Sequence, residues 1–265
     1  MHSGRLRGHG GPTEQAACHR SNTSGRRSAR ERLREAVGCR VQPADCSVQA
    51  AHRPLSGCRP ACSLAPVNPP PAALLFDLDG VLIDSYEVWF HLLNGAARVW
   101  GFPEIDAQLF AETWGQGIEA DCERFYPGRS LEEVDAYYHG HFADHVEHLK
   151  VMDRVSAVFA RLAERGLPSA VITNTPNPLA SELVERAGAR PDLVVGGTDV
   201  ARSKPAPDMV LHAAAGLGVP AAAAWVVGDS EFDRQAARAA GCPFVGIGID
   251  GDLRLEAVGE LLGHL

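Results

Sequence analysis

The sequence predicts an α/β protein in which a parallel sheet is wrapped by helices, and three observations carry that expectation. After residue 72, short apolar runs alternate with amphipathic helical stretches, the pattern of strand–helix–strand units. Several apolar runs end in a polar side chain, Asp77, Thr173 and Asp229 among them, as expected where strands deliver residues to one sheet edge. Between residues 85 and 150 the alternation stops and the chain reads as helices only. The expected organisation is an N-terminal extension over 1–71, a core from 72–84 and 151–265, and an all-helical insertion over 85–150.

The first strand is expected at Ala73–Asp77, after which Gly80 permits a sharp turn. Tyr86–Trp100 follows as a helix with Val88, Trp89, Leu92, Leu93, Ala96 and Trp100 on its apolar face. Pro103–Trp114 and Leu131–Leu149 supply further helices, with Gly115 to Gly117 and Pro127-Gly128 as breaks. The next helix has Asp153 as its candidate cap, Val155, Val158, Phe159 and Leu162 as its stripe, and Gly166 as its end. Further strands are expected at Ser169–Thr173, Leu193–Gly196, Ala224–Gly228 and Phe244–Gly248. Their connecting helices open near Pro178, at Pro207 and near Glu231, and the last ends at Gly241.

The formal net charge of −8 is unevenly spread. Residues 1–71 hold eleven arginines against four acids, a balance of +7, which leaves −15 for the remainder. An acidic body argues against nonspecific nucleic-acid binding, and no run of about 18 apolar residues marks a membrane span. The extension is rich in Arg, Ser, Gly, Pro and His without sustained apolar periodicity, and is expected to be disordered. Two readings of it stand side by side. Its Arg-rich, acid-poor character fits an organelle transit peptide, whereas the lack of a Met between Met1 and Met152 fits an overextended gene start. Cys18, Cys39, Cys46, Cys58 and Cys62 lie in it at spacings that match no zinc pattern; Cys122 and Cys242 stand alone in the body. Isolated cysteines suit a reducing cytoplasm, the expected location unless the extension is a transit peptide.

The stretch Asp77-Leu78-Asp79-Gly80-Val81-Leu82-Ile83-Asp84-Ser85 is the most informative in the chain. Carboxylates two residues apart on an extended backbone lie on one side of it and repel, so a fold keeps them with a compensating cation or a proton-transfer task. Three more segments follow: Ser169-Ala170-Val171-Ile172-Thr173-Asn174, ending in a hydroxyl and an amide; Ser203-Lys204-Pro205; and Trp225-Val226-Val227-Gly228-Asp229-Ser230-Glu231-Phe232-Asp233. Lys204 is one of only two lysines, beside 23 arginines. In this order the four segments resemble the motifs of the haloacid dehalogenase superfamily, most of whose members are magnesium-dependent phosphatases. The resemblance spans residues 72 to about 250.

That resemblance implies a Rossmannoid sheet of order 5-4-1-2-3 with the first strand central, and a C1-type cap made by the helical insertion. It implies hydrolysis of a small phosphorylated metabolite, phosphoglycolate or a sugar phosphate, through an aspartyl-phosphate. Asp77 would be the nucleophile and Asp79 the general acid/base. Mg2+ would bind the carboxylates of Asp77 and Asp229 and the backbone carbonyl of Asp79. Thr173, Asn174 and Lys204 would hold the phosphate with backbone amides of Leu78, Gly80 and Asn174, and Asp233 would orient Lys204 or a metal-bound water. Dehalogenases lack the acid that stands here as Asp79, and beta-phosphoglucomutases usually carry Glu-Asp where this chain has Gly228-Asp229. The first difference favours phosphoester chemistry, and the second favours a phosphatase of the phosphoglycolate phosphatase type over a phosphomutase. A catalytically silent binding protein on the same fold would be marked by loss of Asp77, Asp79, Lys204 or Asp229, all of which are present.

Other positions carry weaker signals. Trp114-Gly115-Gln116-Gly117 is a candidate substrate-facing loop, and Arg124 and Arg129 are candidate anion contacts, with an ordinary surface role as the default. His139, His141, His145 and His148 have helical spacing that suits zinc, but an exposed polar face is the favoured account. Ser230 is read as a helix cap, and a solvated first-turn acid is the alternative for Asp233.

Overall fold

The computed structural model describes residues 70–265, so the expectations for the N-terminal extension and its cysteines lie outside the described residues. The first described strands are β1 (Ala73–Phe76) and the two-residue β2 (Ile83–Asp84). Helices α1 (Tyr86–Trp100), α2 (Ala107–Thr113), α3 (Ile118–Arg124) and α4 (Leu131–His141) follow, then a 3-10 segment (Phe142–His148) and β3 (Lys150–Val151). Strands and helices then alternate as α5 (Val155–Glu164), β4 (Ser169–Ile172), α6 (Leu179–Arg186), β5 (Leu193–Val195), α7 (Asp208–Gly216), β6 (Ala224–Gly228), α8 (Glu231–Ala240), β7 (Phe244–Ile247) and β8 (Leu253–Leu255).

Six strands form one parallel sheet in the order β5-β4-β1-β6-β7-β8. The five strands expected from the sequence are present in the expected order, with β1 between β4 and β6 and with β8 added beyond β7. Side-chain alternation on the pleat sends Leu74 and Phe76 into one apolar cluster with Val158 and Leu162 of α5 and Leu183 of α6. Ala73 and Leu75 join the other cluster, with Met209 and Val210 of α7 and Ala236 and Ala237 of α8. Both faces of the sheet are therefore covered, which is why its strands read as continuous apolar runs. Each fully buried Leu or Phe contributes about 1.5–3 kcal/mol, so the central strand is the best-anchored segment.

The helices between β2 and β3 pack through aromatic contacts and a few buried polar pins. Asn94 of α1 exchanges hydrogen bonds with the backbone of Ile105 (Nδ2 to O 3.0 Å, N to Oδ1 2.8 Å), and Tyr126 donates to the Leu93 carbonyl at 2.9 Å. The antiparallel pair β2–β3 sets Ile83 beside Val151 and Asp84 beside Lys150, so the segment leaves and rejoins the chain at one point.

Helix boundaries differ from the sequence expectation where local chemistry intervenes. α2 starts at Ala107 because the Asp106 side chain accepts from Leu109 N at 2.8 Å, four residues after the predicted start at Pro103. The helix predicted over 131–149 ends at His141 and tightens into the 3-10 segment. α3 was not predicted, because Ile118–Arg124 offers too few apolar residues for a stripe. Asp153 does not cap α5; Arg154, in the left-handed region at φ 66°, precedes it and no side chain caps that end. Among the described residues no helix is long and apolar enough to cross a membrane.

Candidate active site

The register of the sheet builds the site. Phe76 lies opposite Val171 of β4 and Val227 of β6, so Asp77, Thr173 and Asp229 emerge at neighbouring points of the same edge. Lys204, from the loop between β5 and α7, is only 3% exposed and spends its ammonium on three acceptors. These are Asp233 Oδ1 at 2.6 Å, Asp77 Oδ1 at 2.8 Å and the Ile172 carbonyl at 3.1 Å. Asp77 Oδ1 also accepts from Leu78 N at 2.7 Å. Asp233 is fully buried, so the solvated-acid reading fails; its Oδ2 takes Ser230 N at 3.1 Å and the Ser230 hydroxyl, while Ser230 caps α8 in return.

Carboxylate oxygens of Asp77, Asp229 and Asp233 lie within 4.8 Å of one another. Burial, followed by repulsion from Asp233, holds the Asp77 carboxyl well above the usual carboxylate range; Lys204 pulls the other way, and Asp229 and Asp79 add to the rise. For Lys204, burial works against the charge, but Asp233 and Asp77 overcome it and raise its pKa above the ordinary lysine value. The two directions have one cause. Two carboxylates share a single ammonium and two more stand beside Asp77, so the lysine stays charged and the acids lack counter-charge. That all-oxygen, negatively charged donor set suits a hard divalent cation. Asp233 is committed to Lys204 and Ser230, which leaves Asp77 and Asp229 as the carboxylates fitted to hold one.

Asp79 is ringed by donors. Its Oδ1 accepts from Ser85 Oγ at 2.5 Å and Trp89 Nε1 at 2.9 Å, and its Oδ2 from Thr175 Oγ1 at 2.7 Å and Thr173 Oγ1 at 3.3 Å. Sequence reasoning gave none of Ser85, Trp89 and Thr175 this task, and read Trp89 only as part of an apolar face. Their signal was spacing: Ser85 and Trp89 lie four apart along the start of α1, and Thr175 lies two beyond Thr173. The Asn174 side chain has a different task from phosphate binding. Its Nδ2 donates to the carbonyls of Gly115 (2.8 Å) and Lys204 (2.9 Å), and its Oδ1 accepts from Lys204 N (2.8 Å), clamping the lysine loop to the helical segment.

Gly80 has φ +83°, and a Cβ there would fall inside the Asp229 carboxylate. Gly80→Ala is expected to cost about 1–3 kcal/mol of stability through backbone strain and collision. Displacing Asp229 is expected to lower turnover by roughly 10²-fold, checked by a thermal melt and steady-state kinetics on the same preparation.

Above this edge opens a cleft of about 570 Å³, its mouth included. Asp77, Asp79, Thr173, Asn174 and Lys204 floor it, and Trp89, Phe110, Trp114, Gln116, Asp121 and Tyr138 line its helical side. Trp114, Gly115 and Gln116 thus face the cleft as the loop expectation has it, whereas Arg124 and Arg129 do not line it. Arg129 instead lies over the Trp100 ring and pairs with Glu133. The four histidines do not form one site: His139 meets Glu182, His141 meets Asp144, and His145 and His148 lie against the His91 ring, stacked and tilted respectively. Asp121 is buried, with Oδ1 accepting from Gln116 Nε2 at 2.6 Å and Oδ2 from the Tyr138 hydroxyl at 2.9 Å. Burial raises its pKa to about 7, although both hydrogen bonds oppose the rise.

A parallel α/β sheet whose central strand ends in a lysine-paired carboxylate beneath an open cleft defines an enzyme, a hydrolase of the phosphatase class. The chain belongs to the haloacid dehalogenase-like hydrolase family, whose model matches residues 74–247. It is 32% identical over 182 residues to a phosphoglycolate phosphatase of Yersinia pseudotuberculosis, covering 65% of this chain and 78% of that one. To a phosphoglycolate phosphatase of Chromobacterium violaceum it is 31% identical over 211 residues, covering 71% and 94%. The crystal structure of CbbY from Rhodobacter sphaeroides in complex with phosphate shares the fold, with a TM-score of 0.62 at 22% identity, covering 72% of this chain and 96% of that one.

Proposed function

We propose that the protein is a cytoplasmic, magnesium-dependent phosphatase that hydrolyses a small phosphomonoester through an aspartyl-phosphate on Asp77. The observation that carries this reading is the buried cluster of three carboxylates, Asp77, Asp229 and Asp233, and one lysine beneath the cleft. Asp77 Oδ2, which takes neither of the bonds on Oδ1, attacks phosphorus; the P–O bond to the leaving alcohol breaks as the Asp77–P bond forms. Asp79 gives its proton to the departing alkoxide, then takes one from the water whose oxygen replaces Asp77 on phosphorus. Thr173 and the backbone amide of Asn174 receive the phosphate oxygens, the Leu78 and Gly80 amides being engaged by Asp77 Oδ1 and the Ile83 carbonyl, and Lys204 places its charge beside the nucleophile. Mg2+ held by Asp77, Asp229 and the Asp79 carbonyl would screen the anionic nucleophile from the anionic substrate.

The helices over 85–150 serve in this reading as a cap over the core formed by 72–84 and 151–265. Support comes from the Asn174 clamp on Gly115 and from the bonds that Ser85 and Trp89 send to Asp79, which tie the helical segment to the proton-transfer group. The free thiols Cys122 and Cys242 suit a reducing cytoplasm. The relatives' substrate, phosphoglycolate, and sugar phosphates are the two leaving-group classes in view.

Phosphate release from a panel of phosphomonoesters is expected to require Mg2+ and to fall to background with a chelator, returning when Mg2+ is restored. Chelator-insensitive hydrolysis would defeat the metal assignment. A rearranged ester in place of free phosphate would show a phosphomutase.

A further inference from the structure

Asp121 has no part in the phosphoryl transfer just described, yet it is a carboxylate only 7% exposed with no cation beside it, on the wall of the substrate cleft. An unpaired buried acid is costly to the fold, and its tie from α3 to Tyr138 of α4 is one that an amide would make without that cost. Each of its oxygens accepts one hydrogen bond, from Gln116 or from Tyr138, and a carboxylate has about four lone-pair sites. One acceptor site on each oxygen therefore remains for a ligand. Among the described residues that line the cleft the one cation is Lys204, whose three donors are already spent on Asp77, Asp233 and Ile172. Among the described residues a second anionic group on a substrate would meet acids, aromatic rings, neutral Thr and Gln side chains and no free cation.

We propose that Asp121 selects the leaving alcohol: the enzyme acts on phosphate esters whose alcohol carries a hydroxyl or ammonium donor, and discriminates against esters whose alcohol carries a carboxylate. This rests on the phosphatase reading and departs from the substrate named for the relatives. Gln116 and Tyr138 hold the acceptor in place, and Trp114 and Phe110 offer apolar faces to the carbon skeleton of a sugar or an amino alcohol. Glycolate offers the reverse pattern, an anion facing an anion.

The test is the specificity constant of the full chain with Mg2+ at pH 8, above the value of about 7 to which burial raises Asp121. The probes are O-phosphoethanolamine, a hexose 6-phosphate, phosphoglycolate and p-nitrophenyl phosphate. One or both of the first two are expected to exceed phosphoglycolate by about tenfold or more, and which one leads tells ammonium from hydroxyl. In Asp121→Asn that preference is expected to shrink by about tenfold, mainly through KM. Phosphoglycolate as the best of the natural esters would overturn the proposal on wild-type protein alone, whether or not the variant folds, and would leave the phosphatase reading standing. An unchanged preference in Asp121→Asn would also overturn it. Failure to hydrolyse any probe, p-nitrophenyl phosphate included, would defeat the phosphatase reading and this proposal with it.

Discussion

Asp77→Asn is expected to lower phosphatase turnover by about four orders of magnitude or more, with the fold intact. The amide keeps the size of the side chain and one oxygen for Lys204 and Leu78, but a neutral amide oxygen does not displace an alkoxide from phosphorus. Removing one of four crowded carboxylates also relieves repulsion around a group whose acidity is already suppressed. The melting temperature is therefore expected to stay within a few degrees of wild type, so that lost activity reports chemistry and not unfolding. Rapid-quench labelling with a phosphorylated substrate is expected to trap phosphate on wild-type protein at Asp77 and none on the variant. Residual turnover within about tenfold of wild type would remove Asp77 from the nucleophile's role.

Lys204→Met is expected to produce the largest loss of stability, about 3–5 kcal/mol, because it strands Asp77 and Asp233 in a buried site without their cation. For a domain of this size that corresponds to a fall in melting temperature on the order of 10 °C. Exposed pairs such as Lys150 with Asp84 offer a contrast: at 4.0 Å and in solvent, their loss is expected to cost less than about 1 kcal/mol. The double variant Lys204→Met with Asp233→Asn is expected to recover part of the lost stability, since it removes the acid that the lysine neutralised. Strictly additive losses in denaturant titrations would show that the ammonium and Asp233 are not energetically coupled.

The strands were legible because each is a short apolar run closed by a polar residue or a glycine, and because both faces are buried no alternation had to be found. β8 escaped notice since three residues, Leu253–Leu255, are too few to show a period. The meeting of Asp77, Asp229, Thr173 and Lys204 at one edge followed from parallel strands that all end on the same side. What could not be read was the second ring of partners. Trp89 looked like an ordinary member of α1's apolar face, and its indole N–H, which reaches Asp79, has no signature in a hydropathy pattern. Asn174 carried the right residue type, but only the folded loop shows that its amide is consumed by the backbone of Gly115 and Lys204. Asp121 sat in an unremarkable run of polar residues, and its burial depends on how α3 packs against α4.

The pairing of β2 with β3 has an evolutionary corollary. Because departure and return lie side by side, with Ile83 against Val151, the path of the sheet is indifferent to the length and content of whatever hangs between them. A lineage can lengthen, shorten or replace those helices without rethreading a strand or moving Asp77. On the cap reading proposed above, chemistry would be inherited with one part of the gene, while the choice of what is hydrolysed would drift in another. Point changes at positions such as Asp121 would retarget the enzyme in small steps, and exchange of the whole segment would do so at a stroke.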